Sequence, residues 1–355
     1  MSKDDWSIVV GITRYPALPT LQGPENDARA FNEWVLASEG GDVPSEQSRL
    51  IVSSDFPEAT PPLEADPTDA RVEEAFKRLL RLSEENTAAG RIARVGRRLY
   101  VYMAGHGLEL GLLPEARPVL LTANATKTVP LHVFASSWIE SLRLRGAFDE
   151  TVFLFDACRQ RISSAPLRPA PLVEVSEPRP RIERWLDGYA AQVRQKAYER
   201  PFDSEPHGVF SRTLLAGLRG AASDENGNVT APGLSNYVRY HMRHLLDDEE
   251  RNNPEVNQEP DMRFGGDGEL ILASVPRAES AVEISVKPEA AGKTLRIVGG
   301  KLEPIFTKVI APGEQALTLR LPVGRYLVDV LGGEQGGITF EVRGLSKEEV
   351  IHVVF

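Results

Sequence analysis

The sequence predicts an α/β protein followed by a separate all-β segment, and three observations carry that reading. Short, nearly uninterrupted apolar runs alternate with amphipathic stretches from residue 6 to about 275, as in a mostly parallel sheet flanked by helices. After about residue 277 the pattern changes to period-two segments separated by Pro-Gly, Gly-Gly and Val-Gly turns, which describes a small sandwich of about five to seven strands. The chain of 355 residues is long for one domain and suits two.

SIVVGI (7–12) is a β-branched run suited to a strand covered on both faces. Residues 26–38 read as a helix, with Ala28, Phe31 and Val35 near helical spacing. RLIVSS (49–54) is a second strand, and 55–68 is a loop rich in proline and acid. Residues 69–82 give the clearest helix, with Val72, Ala75, Phe76, Leu79 and Leu82 in one stripe and Thr68 or Asp69 as cap. Buried strands at 98–107 and 151–159 flank a helix around Ser137–Leu144, and two further helices are expected at 208–218 and 233–246. Residues 159–184 hold six arginines and five prolines without periodicity, so they read as an exposed loop. A loop of that length inside a compact domain is usually functional or disordered.

With 41 basic against 51 acidic residues the formal net charge is −10, which argues against nucleic acid as a partner. No basic-then-apolar leader follows Met1 and no apolar run approaches membrane-spanning length, so a cytoplasmic protein without a membrane partner is expected. A single cysteine excludes an intramolecular disulfide. His241 and His244 are three apart on one helix without a third ligand, so no metal site is expected.

Chemistry concentrates at His106 and Cys158. Leu99 to Met103 carry one buried strand, broken by Gly105-His106-Gly107, and Val152 to Phe155 carry another, from which Asp156-Ala157-Cys158 projects. Ligand crevices in open α/β sheets lie outside the carboxyl ends of the strands. On neighbouring strands, imidazole takes the thiol proton and later protonates a leaving amine. The N–H groups of Gly107 and Cys158 are the candidate oxyanion donors. A lone cysteine is most often a small buried hydrophobe, and a Gly-His-Gly turn can hold a merely packed histidine. Both at strand ends, roughly 50 residues apart, favour catalysis over packing.

Four segments resemble the caspase/metacaspase superfamily, specifically its bacterial members: SIVVGI with LQGPENDA (21–28), YVYMAGHG (100–107), FLFDACR (153–159) and GVFSRTLLAGL (208–218). The resemblance implies a caspase-haemoglobinase fold and a cysteine endopeptidase with a His106–Cys158 dyad working through a thioester. It divides the chain into a peptidase domain at 1–276 and a β-sandwich accessory domain at 277–355. Within the former, a large-subunit-like part covers about 1–158, an Arg/Pro-rich linker about 159–188 and a small-subunit-like part about 189–276.

Caspases place Gln-Ala-Cys at the nucleophile and take aspartate at P1. The Asp156-Ala157-Cys158 found here is similar to the Asp-x-Cys of metacaspases, whose aspartate helps bind P1 arginine or lysine. The family's Asn-Asp-Ala segment supplies a second pocket carboxylate at Asp27. As residues alone, Asp27 also reads as a carboxylate favouring a helix N-terminus, and Asp156 as a strand-end cap. Ala104 and Pro24 stand where metacaspases carry a pocket serine and cysteine, so arginine against lysine stays open. Gln195, Ala197 and Tyr198 are expected along the substrate groove, where β-augmentation would hold the peptide.

Arg161, Arg168, Arg179, Arg181 and Arg184 are candidate processing sites for the chain itself or an activating protease. No cofactor is expected. The acidic run Asp247–Glu250 is a candidate for the calcium that some metacaspases require, but it lacks EF-hand spacing and reads better as a solvated helix end. The resemblance further implies a role in bacterial defence or cell death. For the β-domain, recruitment of a regulatory partner, inhibition by covering the cleft and simple stabilisation all stay open. A silent scaffold acting through that domain and a peptide ligase remain the alternatives.

Overall fold

The computed structural model describes residues 4–58, 61–110, 117–162, 184–202, 204–224, 226–245, 253, 257–299, 304–331, 337–344 and 350–354. In chain order the first half comprises β1 (Asp5–Gly11), α1 (Gly23–Leu36), β2 (Ser48–Val52), α2 (Asp69–Ala88), β3 (Gly96–Gly105), β4 (Gly107–Leu110), β5 (Arg117–Leu121), β6 (His132–Val133), α3 (Ala135–Leu144) and β7 (Phe148–Ala157). There follow β8 (Gln160–Ile162), β9 (Arg184–Tyr189), β10 (Glu199–Phe202), β11 (Glu205–Gly208), α4 (Val209–Ala216), β12 (Asn228–Thr230), α5 (Ala231–Met242), β13 (Asp261–Gly266) and β14 (Ile271–Ser274). The last part is all strand: β15 (Glu279–Ser285), β16 (Thr294–Val298), β17 (Pro304–Val309), β18 (Ala316–Pro322), β19 (Gly324–Leu331), β20 (Ile338–Val342) and β21 (Val350–Val354). Contacts divide the chain into one unit of 1–215 with 230–273 and a second of 216–229 with 274–355. Residues 216–229, expected within the first domain, belong to the second unit.

The first unit is built on a six-stranded sheet in the order β13-β9-β7-β3-β1-β2. All its pairs are parallel except β13 with β9. Alternation along β3 explains its continuous apolar run, because both faces are covered. Tyr100 and Tyr102 turn to α1, where Trp34 and Phe31 meet their rings. Leu99, Val101 and Met103 join the opposite core with Val72, Phe76 and Leu79 of α2 and Trp138 of α3. Thr68, not Asp69, caps α2 by accepting the Arg71 N–H.

Helix α1 begins at Gly23, three residues before the expected start, with proline in its first turn. The missing N–H of proline is harmless there, because first-turn amides have no intrahelical acceptor. The larger correction concerns the linker expected at 159–188. Gln160–Ile162 pairs in parallel with β4, and Arg184–Tyr189 is a central strand in register with Glu150–Phe155. Arg184 therefore opens β9 with its guanidinium on Glu150, a sheet residue and not an exposed scissile site. Arg168, Arg179 and Arg181, the side chain of Arg161, and the run Asp247–Glu250 lie outside the described residues.

The second unit holds a three-stranded sheet, β18-β15-β21, and a four-stranded sheet, β17-β16-β19-β20. Val282 and Ile284 of one and Leu295, Ile297, Val328 and Val330 of the other share a single apolar core, so the expected sandwich forms.

At the amino end of the main sheet, buried Glu150 accepts bonds from Arg98 on β3 and Arg184 on β9 and is paired with Arg97. Arg98 in turn donates to the Ile271 carbonyl. Removing the shared carboxylate takes the ion-pair partner from Arg98, whose side chain is buried, so Glu150→Ala is expected to lower unfolding free energy by about 3–5 kcal/mol. A urea midpoint within error of the unaltered protein would contradict this.

Candidate active site

Parallel register brings the two chemically distinctive residues together. Gly105 of β3 pairs with Ala157 of β7, so His106 and Cys158 are the first residues past matched ends of adjacent strands. Both line one cavity of about 260 Å³ with Pro24, Asp27, Ala104, Asp156, Ala197, Tyr198, Glu199 and Gly208 among its walls. At Gly107 a Cβ would lie 2.5 Å from the Cys158 carbonyl oxygen, so that approach requires glycine.

Three contacts orient His106. Its backbone N–H donates to the Tyr15 hydroxyl at 3.0 Å, and its ring meets that of Tyr15 edge-on at 4.7 Å. Its Nε2 lies 2.7 Å from the Pro19 carbonyl. A carbonyl only accepts, so Nε2 carries the proton and Nδ1 keeps a lone pair. Cys158 Sγ accepts the Ala197 N–H at 3.4 Å. The segment after β9 is held beside it, because Arg159 N–H donates to Gln195 O and Arg194 N–H to Arg159 O.

Asp27 and Asp156, 129 positions apart in the chain, form an acidic wall (27 and 156). Asp27 Oδ1 is 2.7 Å from His207 Nδ1, and its Oδ2 accepts the Gly208 N–H at 2.8 Å. Asp156 Oδ2 accepts from the Ser211 N–H at 3.1 Å and its hydroxyl at 2.5 Å. Gly208 runs so close to both carboxylates that a side chain there would collide with them.

A profile of the caspase domain matches residues 4–264. The chain belongs to the caspase family. Over 337 residues it is also 29% identical to a protein of a Desulfuromonadales bacterium named as a probable protease. That similarity takes in 86% of this chain, which spans only 38% of the length of that relative. No helix among the described residues is long and apolar enough to cross a membrane.

In this caspase-family cavity the electrostatics are dominated by burial. Desolvation, reinforced by the charge on Asp27, pushes Asp156 up to about 7. Desolvation also raises Asp27, against the opposing hydrogen bonds from His207 and Gly208. Burial pushes the Cys158 thiol up too, partly offset by the Ala197 N–H, so the sulfur rests as a thiol.

Of the expected groove residues, Ala197 and Tyr198 line the cavity and Gln195 does not. The Gln195 side chain instead accepts the N–H groups of Gln192 and Glu259, bracing the loop. Asp27 is no simple helix-end carboxylate, since its bonds cross to β11. Tyr15, the Pro19 carbonyl, Glu199 and His207 were not expected as site components. Tyr15 and Pro19 fall between the runs 7–12 and 21–28, and Glu199 and His207, which carry no local pattern, are brought in by tertiary contact.

Asp156 binds its proton more tightly in the folded chain than in the unfolded one, so its contribution favours the fold below about pH 4 and is lost as pH rises through about 7. Asp156→Asn keeps an acceptor for Ser211, and is expected to raise unfolding free energy at pH 8 by a few kcal/mol but change it little near pH 4. Denaturation at the two pH values checks this, and an equal effect at both would refute it.

Proposed function

We propose that this chain is a cysteine endopeptidase that uses His106 and Cys158 to cleave after basic P1 residues. The supporting observation is one cavity lined by a thiol, an imidazole with a free Nδ1, and a wall of buried carboxylates. Nδ1 of His106 takes the Cys158 proton as the sulfur attacks the scissile carbonyl carbon. The Gly107 and Cys158 N–H groups hold the resulting oxyanion. The tetrahedral intermediate collapses to a thioester as the leaving amine takes the proton back from His106. Water, deprotonated by the same nitrogen, then releases the acid and restores the thiol.

Asp27 and Asp156 are the proposed P1 partners. Among the described residues the bonds to Asp156 fall on Oδ2, which leaves Oδ1 for a guanidinium or ammonium. Two carboxylates in a desolvated cleft favour a cation, and arginine adds bidentate geometry. Glu199 on the cavity wall adds to the same field. Such a preference would make Arg168, Arg179 and Arg181 sites for proteolytic activation, by the chain itself or by another protease. A role in bacterial defence belongs to the same reading.

The measurement is kcat/KM on matched peptides with arginine, lysine, citrulline or aspartate at P1. Arginine and lysine are expected to exceed citrulline by at least about 10-fold at pH 8, with the advantage shrinking as pH falls through about 7 and Asp156 takes up its proton. Cys158→Ala abolishes turnover. Preferred cleavage after aspartate would overturn the pocket assignment, and activity surviving in Cys158→Ala would overturn the dyad.

A further inference from the structure

His207 takes no part in the bond-breaking chemistry proposed above, yet it touches the acidic wall of the cavity. It lies on β11, whose hairpin with β10 pairs Glu199 with Gly208 and Arg200 with His207. Two adjacent residues of this strand hold both oxygens of Asp27, His207 through Nδ1 and Gly208 through its N–H. The strand is also tied to α1 by Asn26 Nδ2, which donates to the Pro206 carbonyl at 3.0 Å. The His207 side chain is 14% exposed and Asp27 is 2% exposed, so this contact is made largely out of water.

With Asp27 ionised its carboxylate only accepts, so Nδ1 of His207 then carries the proton of this bond. We propose that His207 is a positioning residue for specificity: its Nδ1–H holds Asp27 as an oriented carboxylate on the P1 wall, and without it the cavity loses its preference for a cation. The inference rests on the basic-P1 reading above and deepens it. Burial alone favours the neutral acid at Asp27, and the His207 bond is the largest influence opposing it. Glu199, also on this wall, accepts the Gln22 N–H. The other carboxylate on this wall, Asp156, is held by Ser211.

The test is steady-state kinetics on a matched pair of arginyl and citrullinyl peptides. His207→Ala is expected to raise KM for the arginyl peptide by about 10-fold or more, the worth of a charge-assisted hydrogen bond. Its kcat should stay within about 2-fold, and the citrullinyl peptide should be unaffected. Asn places an N–H near the position of Nδ1 and Gln near that of Nε2, so His207→Asn should restore the preference and His207→Gln should not. In an Asp27→Asn background, His207→Ala should cause no further loss.

Equal losses on both peptides, rescue by Gln as good as by Asn, or an unchanged arginyl KM would overturn the inference. Should His207→Ala fail to fold, the Asn and Gln variants decide alone. A wild-type enzyme without preference for arginine over citrulline would instead refute the basic-P1 reading. The two failures are therefore distinct.

Discussion

Everything at this site depends on the in-register parallel pairing of β3 and β7. Because Gly105 stands opposite Ala157, both strands reach their ends at one level and release His106 and Cys158 side by side. A shift of one residue would turn one of them to the opposite face of the sheet. The register is fixed by alternation on both faces: tyrosines of β3 meet α1, and the intervening aliphatic residues meet α2 and α3. Burial thus supplies the precision that the proposed proton transfer needs.

The same burial makes the acidic wall strained. Asp27 and Asp156 are held in a desolvated pocket where burial opposes charging either, and the charge on Asp27 further opposes charging Asp156. Natural proteins place such unfavourable groups where function requires them. A cationic side chain entering the cavity would neutralise that repulsion, so selectivity would come from relieving a tension already present in the empty site. Hydrogen bonds from Ser211, Gly208 and His207 keep the carboxylates oriented meanwhile.

Much of this was legible in the sequence, for physical reasons. Buried parallel strands read as continuous apolar runs, so β1, β3 and β7 stand out, and the Gly-His-Gly and Asp-Ala-Cys breaks mark their ends. Strand β9 did not stand out: RWLDGY carries a charge at each side of a short apolar pair and adjoins an arginine- and proline-rich stretch. Its arginine and aspartate are accommodated by Glu150 and Arg143, partners 34 and 44 positions away. The Pro19 carbonyl and His207 were illegible for a related reason. A backbone acceptor has no sequence signature, and a histidine 180 positions from its aspartate gives no local pattern.

The account centres on Cys158 as a nucleophile beside a cation-selective cavity, and covalent labelling tests it most directly. The chain has one cysteine, so intact mass and peptide mapping after treatment with arginyl and aspartyl acyloxymethyl ketones give an unambiguous answer. The account predicts a single adduct on Cys158, formed much faster by the arginyl reagent and suppressed in His106→Ala. Faster labelling by the aspartyl reagent, or a rate independent of the P1 residue and of His106, would contradict it.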